Sequence, residues 1–344
     1  MEETRSIGDY RLIKQIGQGS MGTVFVAEHR FTKKKNVLKV LPEELSSDRA
    51  FMMRFEEEIA AISALDHPHI VKIHNVSFSQ GLYFLVCDCI VDAMGETTNL
   101  AQYFNAREKK LSQEEILSIL LQVASAIDYG HSISDAAGKK LIHRGLKLNN
   151  ILVEGKAPQI NVLVSDWGLS KVIGLGSALT RTFKGVAESL GITAKISQDR
   201  YPQPAIESYK LSLLHQSLLQ NFAFLAPEQK RMESNCNERL DSFSFGVLAY
   251  YLLTGEYPEG SFSCDFFRNE EHLIDWEGLV VSCLRPNSSD RPDHLETMLS
   301  AKKETVKPAE KLAPFIQPAF TFQEPVVPEM PLQKMNMTFG TTKE

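Results

Sequence analysis

His143-Arg144-Gly145-Leu146-Lys147-Leu148-Asn149-Asn150 is a basic, amide-rich stretch lying between a helix-like run and the strand-like run Ile151-Leu152-Val153. A loop held between two regular elements is where a rigid scaffold presents working side chains. This one offers cations at Arg144 and Lys147 and amides at Asn149 and Asn150. At its centre Gly145 offers no side chain, and so no carboxylate.

Toward the N-terminus, residues 10–41 alternate as strands do: Tyr10-Arg11-Leu12-Ile13, then Thr23-Val24-Phe25-Val26-Ala27, then Asn36-Val37-Leu38-Lys39-Val40. Between the first two runs, Gly17-Gln18-Gly19-Ser20-Met21-Gly22-Thr23-Val24 fits the pattern G-x-G-x-x-G-x-V. Such glycines let a hairpin backbone approach phosphate oxygens with no Cβ in the way. A dinucleotide site needs a strand and then a helix, whereas here strands flank the glycines on both sides. Lys39 sits in the third apolar strand, either snorkelling at its edge or acting as a cation for phosphate. Phe51, Phe55, Ile59, Ile62 and Leu65 then recur at helical spacing, giving an amphipathic helix from Ser47 to Leu65 that stops before His67-Pro68. Glu56, Glu57 and Glu58 all lie on it. Strand-like runs at Ile70 to Ser77 and Leu82 to Ile90 complete a small lobe of five strands and one helix.

Beyond Val91 the pattern turns helical. Ser112-Gln113-Glu114-Glu115 is a capping box opening a helix whose apolar face carries Ile116, Ile119, Leu120 and Val123. Further helical patterns fall at about 207–220, 240–253, 273–284 and 291–303. After Val306, Pro308, Pro314, Pro318, Pro325, Pro328 and Pro331 mark an extended tail with polyproline character. No internal repeat is evident.

The bulk numbers narrow the class. A chain of 344 residues, 43% apolar and 23% charged, has the make-up of an ordinary globular protein. Its net charge of −6 carries no basic footprint for nucleic acid. Five cysteines without repeated spacing suit a reducing compartment. Cys87-x-Cys89 reads as two same-face core thiols rather than a metal site, since no second Cys/His pair stands at ligand spacing. No apolar run approaches the roughly 18 residues of a membrane span. The acidic Met1-Glu2-Glu3-Thr4-Arg5 lacks the apolar core of a Sec-type signal, so the expectation is a cytoplasmic protein, with non-Sec export left open.

Taken in order, these motifs resemble the eukaryotic-like (Hanks-type) serine/threonine protein kinase family over residues 10–302. The loop around Gly145 is similar to the family's H-R-D-L-K-x-x-N, with glycine in place of the aspartate that positions the attacking hydroxyl and accepts its proton. The resemblance implies that Lys39 holds the α- and β-phosphates of ATP and pairs with Glu58. Gly17, Gly19 and Gly22 would cover the phosphates, Val24 and Val37 would line the adenine, and Leu152 would form its floor. Cys87, Asp88 and Cys89 look like the gatekeeper and hinge. Asn150, and Asp166 in Asp166-Trp167-Gly168, look like the Mg2+ ligands, and Lys147 like the γ-phosphate lysine of a Ser/Thr enzyme. Ala226-Pro227-Glu228 resembles the end of the activation segment, with Glu228 pairing with Arg291 of Asp290-Arg291-Pro292. Asp241 resembles the buried aspartate that anchors the catalytic loop.

Three departures stand out. The first is Gly145: a positioned general base contributes about 10²–10⁴ in rate, roughly 3–5 kcal/mol of barrier. The second lies before Ala226, where Asn221 and Phe224 replace the family's threonine and tyrosine. The third is the stretch 166–228, around twice the expected length. It carries Thr180, Thr182, Thr193, Ser197 and Ser208, which either pair with Arg144 once phosphorylated or belong to an unmodified exposed insertion. A smaller insertion, Ser134 to Lys140, reads as a surface loop.

The expectation is therefore an α+β, two-lobed protein kinase fold: an extension at 1–9, a five-stranded antiparallel N-lobe with one helix at 10–91, a mainly α C-lobe at 92–302, and a tail at 303–344. The nucleotide side is nearly whole and the phosphoacceptor side is eroded. Two readings follow, a Mg-ATP-binding scaffold with impaired transfer, or a slow Ser/Thr kinase. Each implies an unidentified protein partner or substrate.

Overall fold

The computed structural model describes residues 5–19, 22–135, 138–155, 160–169, 171, 220–233, 236–258 and 274–300. The helix expected near 207–220 lies outside these residues except at Gln220, as do the candidate phosphorylation sites from Thr180 to Ser208 and the proline-rich tail.

The N-terminal sheet has six strands rather than five. They are β1 (Ser6–Ile7), β2 (Tyr10–Gly19), β3 (Gly22–His29), β4 (Lys35–Val40), β5 (Ile73–Ser79) and β6 (Leu82–Asp88), in the order β1-β2-β3-β4-β6-β5, all antiparallel. The extra strand comes from the segment read as an extension. Ile7 pairs with Tyr10 across a tight turn and buries its side chain with Leu38, Val40, Phe84 and Val86 on the outer face of the sheet. One well-buried isoleucine stabilises a two-residue edge strand by about 1.5–3 kcal/mol.

The inner face packs on α2 (Arg49–Ser63), which follows the one-turn helix α1 (Glu43–Ser46). The helix is somewhat shorter than its apolar pattern: it begins where Asp48 accepts a hydrogen bond from Phe51 N at 3.0 Å. Phe51, Phe55, Ile59 and Ile62 are buried, as their spacing requires. Ile70 does not join β5; it bridges to Val164 of the second lobe, so the connection between helix and strand also ties the lobes together.

The second lobe opens with β7 (Thr98–Asn99) and α3 (Leu100–Ala106), capped reciprocally by Asn99 and Gln102. Helix α4 (Gln113–Ser132) starts at the capping box read from sequence, with Ser112 Oγ accepting from Glu115 N at 3.2 Å and Glu115 accepting from Ser112 N at 3.1 Å. Strand β8 (Ile151–Glu154) pairs with β7 on one side and β9 (Asn161–Val164) on the other in a small antiparallel sheet on α4. The remaining described helices are α5 (Pro227–Lys230), α6 (Arg239–Thr254), α7 (Trp276–Cys283) and α8 (Leu295–Ser300). Helix α6 is apolar nearly all round and buried along most of its length, which makes it the axis of this lobe. No helix of the described residues is long and apolar enough to cross a membrane.

Candidate active site

Lys39 lies mid-strand in β4, opposite Val24 of β3 and Leu85 of β6, so its side chain projects from the sheet into the cleft. There its Nζ meets Asp166 Oδ1, contributed by the second lobe just after β9. Burial lowers the Lys39 pKa, with Cys87 close by. Asp166 adopts φ +64, a left-handed conformation uncommon outside glycine that is typical of functional turns. Neighbouring contacts hold it there. Ser165 donates to Asn150 O from both its backbone N (2.7 Å) and its Oγ (3.1 Å), and Gly168 N donates to His143 O at 3.3 Å.

The loop 143–150 is anchored from below. Asp241, fully buried on α6, accepts from His143 N at 2.7 Å, Arg144 N at 2.8 Å and His131 Nε2 at 2.9 Å. Burial alone pushes this carboxyl up, but the hydrogen bond and charge of His131 and the proximity of His143 outweigh it and hold its pKa below the ordinary value. His143 is buried, and burial lowers its pKa. Its Nδ1 accepts from Gly145 N at 3.2 Å, so its Nε2 carries the proton donated to Ser165 O at 2.9 Å. The imidazole is thus neutral and used at both nitrogens. Asn150 Nδ2 donates to Gly145 O at 2.8 Å, which orients the amide and leaves its Oδ1 as an acceptor. Asp166 and Asn150 together offer hard oxygen donors of the kind Mg2+ takes.

The remaining nucleotide-side residues fall around this centre. Gly17 and Gly19 end β2 and Gly22 begins β3, with Gly19 opposite Gly22. Gly22 has φ +113, and a Cβ there would fall inside the radius of Val40 O, so only glycine fits. Val24 pairs with Gly17, Val37 with Cys87, and Leu152 with Leu163. Asp88 turns its carboxylate to His74 Nε2 (2.6 Å) and Lys34 Nζ (3.8 Å), so what it can offer the cleft is backbone. Burial raises the pKa of both Cys87 and Cys89, as suits core thiols. Among the described residues no group of three or more metal-ligating side chains is assembled.

The geometry corrects one expectation. Glu58 does not hold Lys39: it pairs with Lys171, just past Asp166-Trp167-Gly168, while Lys39 pairs with Asp166. Asp166 is thus the anion that Lys39 meets across the cleft, and Lys171 is the cation that Glu58 meets. Lys171 carried no signal in the sequence. Neither did Gly130, whose missing side chain makes room for Trp167.

On the phosphoacceptor side, Lys147 Nζ donates to Asn221 Oδ1 at 2.5 Å. Burial lowers the Lys147 pKa to about 8. Phe224 is buried against Tyr257, and its carbonyl accepts from Ser244 Oγ at 2.8 Å. Below it, Glu228 and Arg291 form a bidentate pair at 2.7 and 2.8 Å, as their motifs imply. Around Gly145 itself, no carboxylate among the described residues hydrogen-bonds to Lys147 or Asn150.

Comparison with known proteins identifies the family. The family model described as the protein kinase domain matches residues 10–300. The serine/threonine-protein kinase Pkn1 of Chlamydia trachomatis serovar L2 is 32% identical over 88% of this chain and 43% of its own length. Its counterpart in Chlamydia caviae is 30% identical over 86% and 42%. PrkC of Bacillus subtilis is 26% identical over 74% and 32%. The chain thus spans less than half the length of these curated relatives. Among solved structures, the Mycobacterium tuberculosis PknI kinase domain matches with a TM-score of 0.57 at 19% identity, over 87% of this chain and 97% of that one, which establishes the same fold. With the family's domain matched across both lobes and its motifs meeting in one cleft, the chain belongs to the protein kinase family.

Proposed function

We propose that this protein binds Mg-ATP between its lobes and transfers the γ-phosphate poorly, so that it serves in signalling as a nucleotide-dependent binding module. The observation that carries this reading is the meeting of Lys39 and Asp166 across the cleft, beside a loop whose aspartate position is Gly145. In this reading Lys39 supplies a fixed cation for phosphate oxygens, and Asp166 and Asn150 supply the metal's oxygen ligands. The hairpin of Gly17, Gly19 and Gly22 closes over the phosphates, and Val24, Val37 and Leu152 enclose the ring beside the strand end at Cys87, Asp88 and Cys89. Glu58 exchanges Lys171 for Lys39 when the ligand arrives. The bound metal–triphosphate supplies the transferable phosphoryl group and neutralises its charge. Among the described residues, the loop around Gly145 offers no proton acceptor for an incoming hydroxyl. His143 is neutral and engaged at both nitrogens, and Lys147 is a cation held by Asn221.

A slow Ser/Thr kinase is the second reading. It is supported by Lys147, two positions beyond Gly145, and by the serine/threonine kinase names of the relatives. Phosphoryl transfer rests mainly on positioning and electrostatics, so turnover without the aspartate is reduced rather than abolished.

Phosphate incorporation from labelled ATP, followed over time for wild type, Lys39→Met and Gly145→Asp, separates the two. Gly145 does not have a positive φ, so its backbone accepts an aspartate. The expected result is slow incorporation by wild type, less by Lys39→Met, and at least tenfold more by Gly145→Asp. Brisk, Lys39-dependent transfer by the wild type rules out the scaffold reading. A thermal shift with Mg-ATP that is absent, or that persists unchanged in Lys39→Met, removes the nucleotide site.

A further inference from the structure

We infer that the cleft beside Lys147 is a recognition site for an acidic side chain, Asp or Glu, of a bound polypeptide segment. The site lies on the phosphoacceptor side, and the inference does not depend on nucleotide being bound.

Lys147 lines a surface cleft together with Asn105 of α3, Asn149, Gln220, Asn221 and Tyr257. Among the described residues lining it, Lys147 is the one charged group, and none is acidic. The remaining polar groups are amides and phenols, which can each donate to an anion. The free space suits a small polar head group rather than a ring.

The cation itself is unusually placed. Lys39 is matched by Asp166, Lys171 by Glu58 and Arg291 by Glu228. Lys147 instead has the neutral carbonyl of Asn221. A largely buried ammonium with an amide for company is an incompletely compensated charge, and an entering carboxylate compensates it. The loop position that could have carried that carboxylate is Gly145. Lys147 and Asn221 fix the charged end of the site, while the stacked rings of Tyr251 and Tyr257, with Phe224 edge-on to Tyr257, form a rigid wall. An acid side chain therefore meets a preorganised cation rather than a mobile surface lysine.

The test uses fluorescein-labelled octapeptides of Ala and Gly with a central Ser and a single Glu placed at each other position in turn, each paired with its Gln isostere. Binding to the 344-residue chain is read by fluorescence anisotropy without nucleotide. In at least one register the Glu peptide is expected to bind tenfold or more tightly than its Gln partner. Lys147→Met removes that difference. So does Asn105→Asp, which places a fixed carboxylate in the cleft while leaving the Mg-ATP thermal shift as in wild type. Equal affinity of Glu and Gln peptides in every register overturns the inference, as does a Glu preference that survives both substitutions. Failure of nucleotide binding alone leaves this result unchanged, so the two readings fail separately.

Discussion

Lys147 keeps a positive charge where burial disfavours one, and the consequence is measurable in stability. Its pKa in the fold is lowered to about 8 by desolvation, against an ordinary value of 10.5. At about 1.4 kcal/mol per unit, and allowing for partial solvent access, the buried charge costs roughly 2–3 kcal/mol. The folded state therefore holds fewer protons than the unfolded chain between about pH 8 and pH 10.5, and stability rises with pH across that window. Lys147→Met removes the charge from both states. It is expected to be more stable than wild type by about 1–3 kcal/mol at pH 7, the gain shrinking as pH climbs toward 10. Urea unfolding of both proteins at pH 7, 8.5 and 10 checks this; a variant destabilised equally at all three would show that the lysine contributes packing alone. What the sequence revealed at this scale is a glycine, without a carboxylate, at position 145. It did not reveal that Lys147 would have Asn221 as its partner, because that contact joins residues 74 apart and no local pattern marks it.

At the scale of elements, helix α4 and the turn Asp166-Trp167-Gly168 are fitted to each other. A Cβ on Gly130 would clash with Cζ2 and Cη2 of Trp167, whose ring is itself buried and edge-on to His143 at 5.0 Å. The Trp167 Nε1 is buried without a hydrogen-bond partner among the described residues, a penalty of about 1–3 kcal/mol. The bulky ring is thus tolerated because glycine makes room for it. Gly130→Ala is expected to destabilise the protein by about 1–3 kcal/mol through overpacking. Trp167→Phe loses contact area but also loses the orphaned N–H, so its own effect is partly offset. Combined, the two changes are expected to be less damaging than the sum of the singles by at least about 1 kcal/mol. Strict additivity in a double-mutant cycle of thermal or urea unfolding would dissociate the two positions. The capping box at Ser112 and the apolar face of α2 were legible because they are local patterns of side-chain spacing. The fit of Gly130 to Trp167 was not, since a helical glycine announces only the absence of a side chain.

Across the whole molecule, the fold was legible because its motifs occur in fixed order and each needs the others: Asp241 is buried to hold His143 and Arg144, and Glu228 is buried to meet Arg291. The pairing across the cleft was not legible, because ion pairs between lobes join residues far apart in sequence, and no local pattern of side-chain spacing marks them. Among the described residues, Lys14 pairs with Glu96 between the lobes, and two further pairs involve the cleft motifs, Lys39 with Asp166 and Glu58 with Lys171. If Mg-ATP recruits Lys39 to phosphate and Glu58 to Lys39, both must be exchanged, and the second exchange works against the ligand. The Lys171–Glu58 pair is partly exposed, with side chains 35% and 14% accessible, so it is worth at most about 1 kcal/mol. Releasing Glu58 should therefore tighten nucleotide binding by a factor of roughly 2–5. Lys171→Ala is expected to show that gain in a thermal-shift titration with Mg-ATP, while Glu58→Gln, which loses both partners, is expected to bind more weakly than wild type. An unchanged affinity in Lys171→Ala beside a weakened Glu58→Gln would mean that the lysine does not compete for the glutamate. Weakened binding in Lys171→Ala would mean that the cleft needs the pair it now holds.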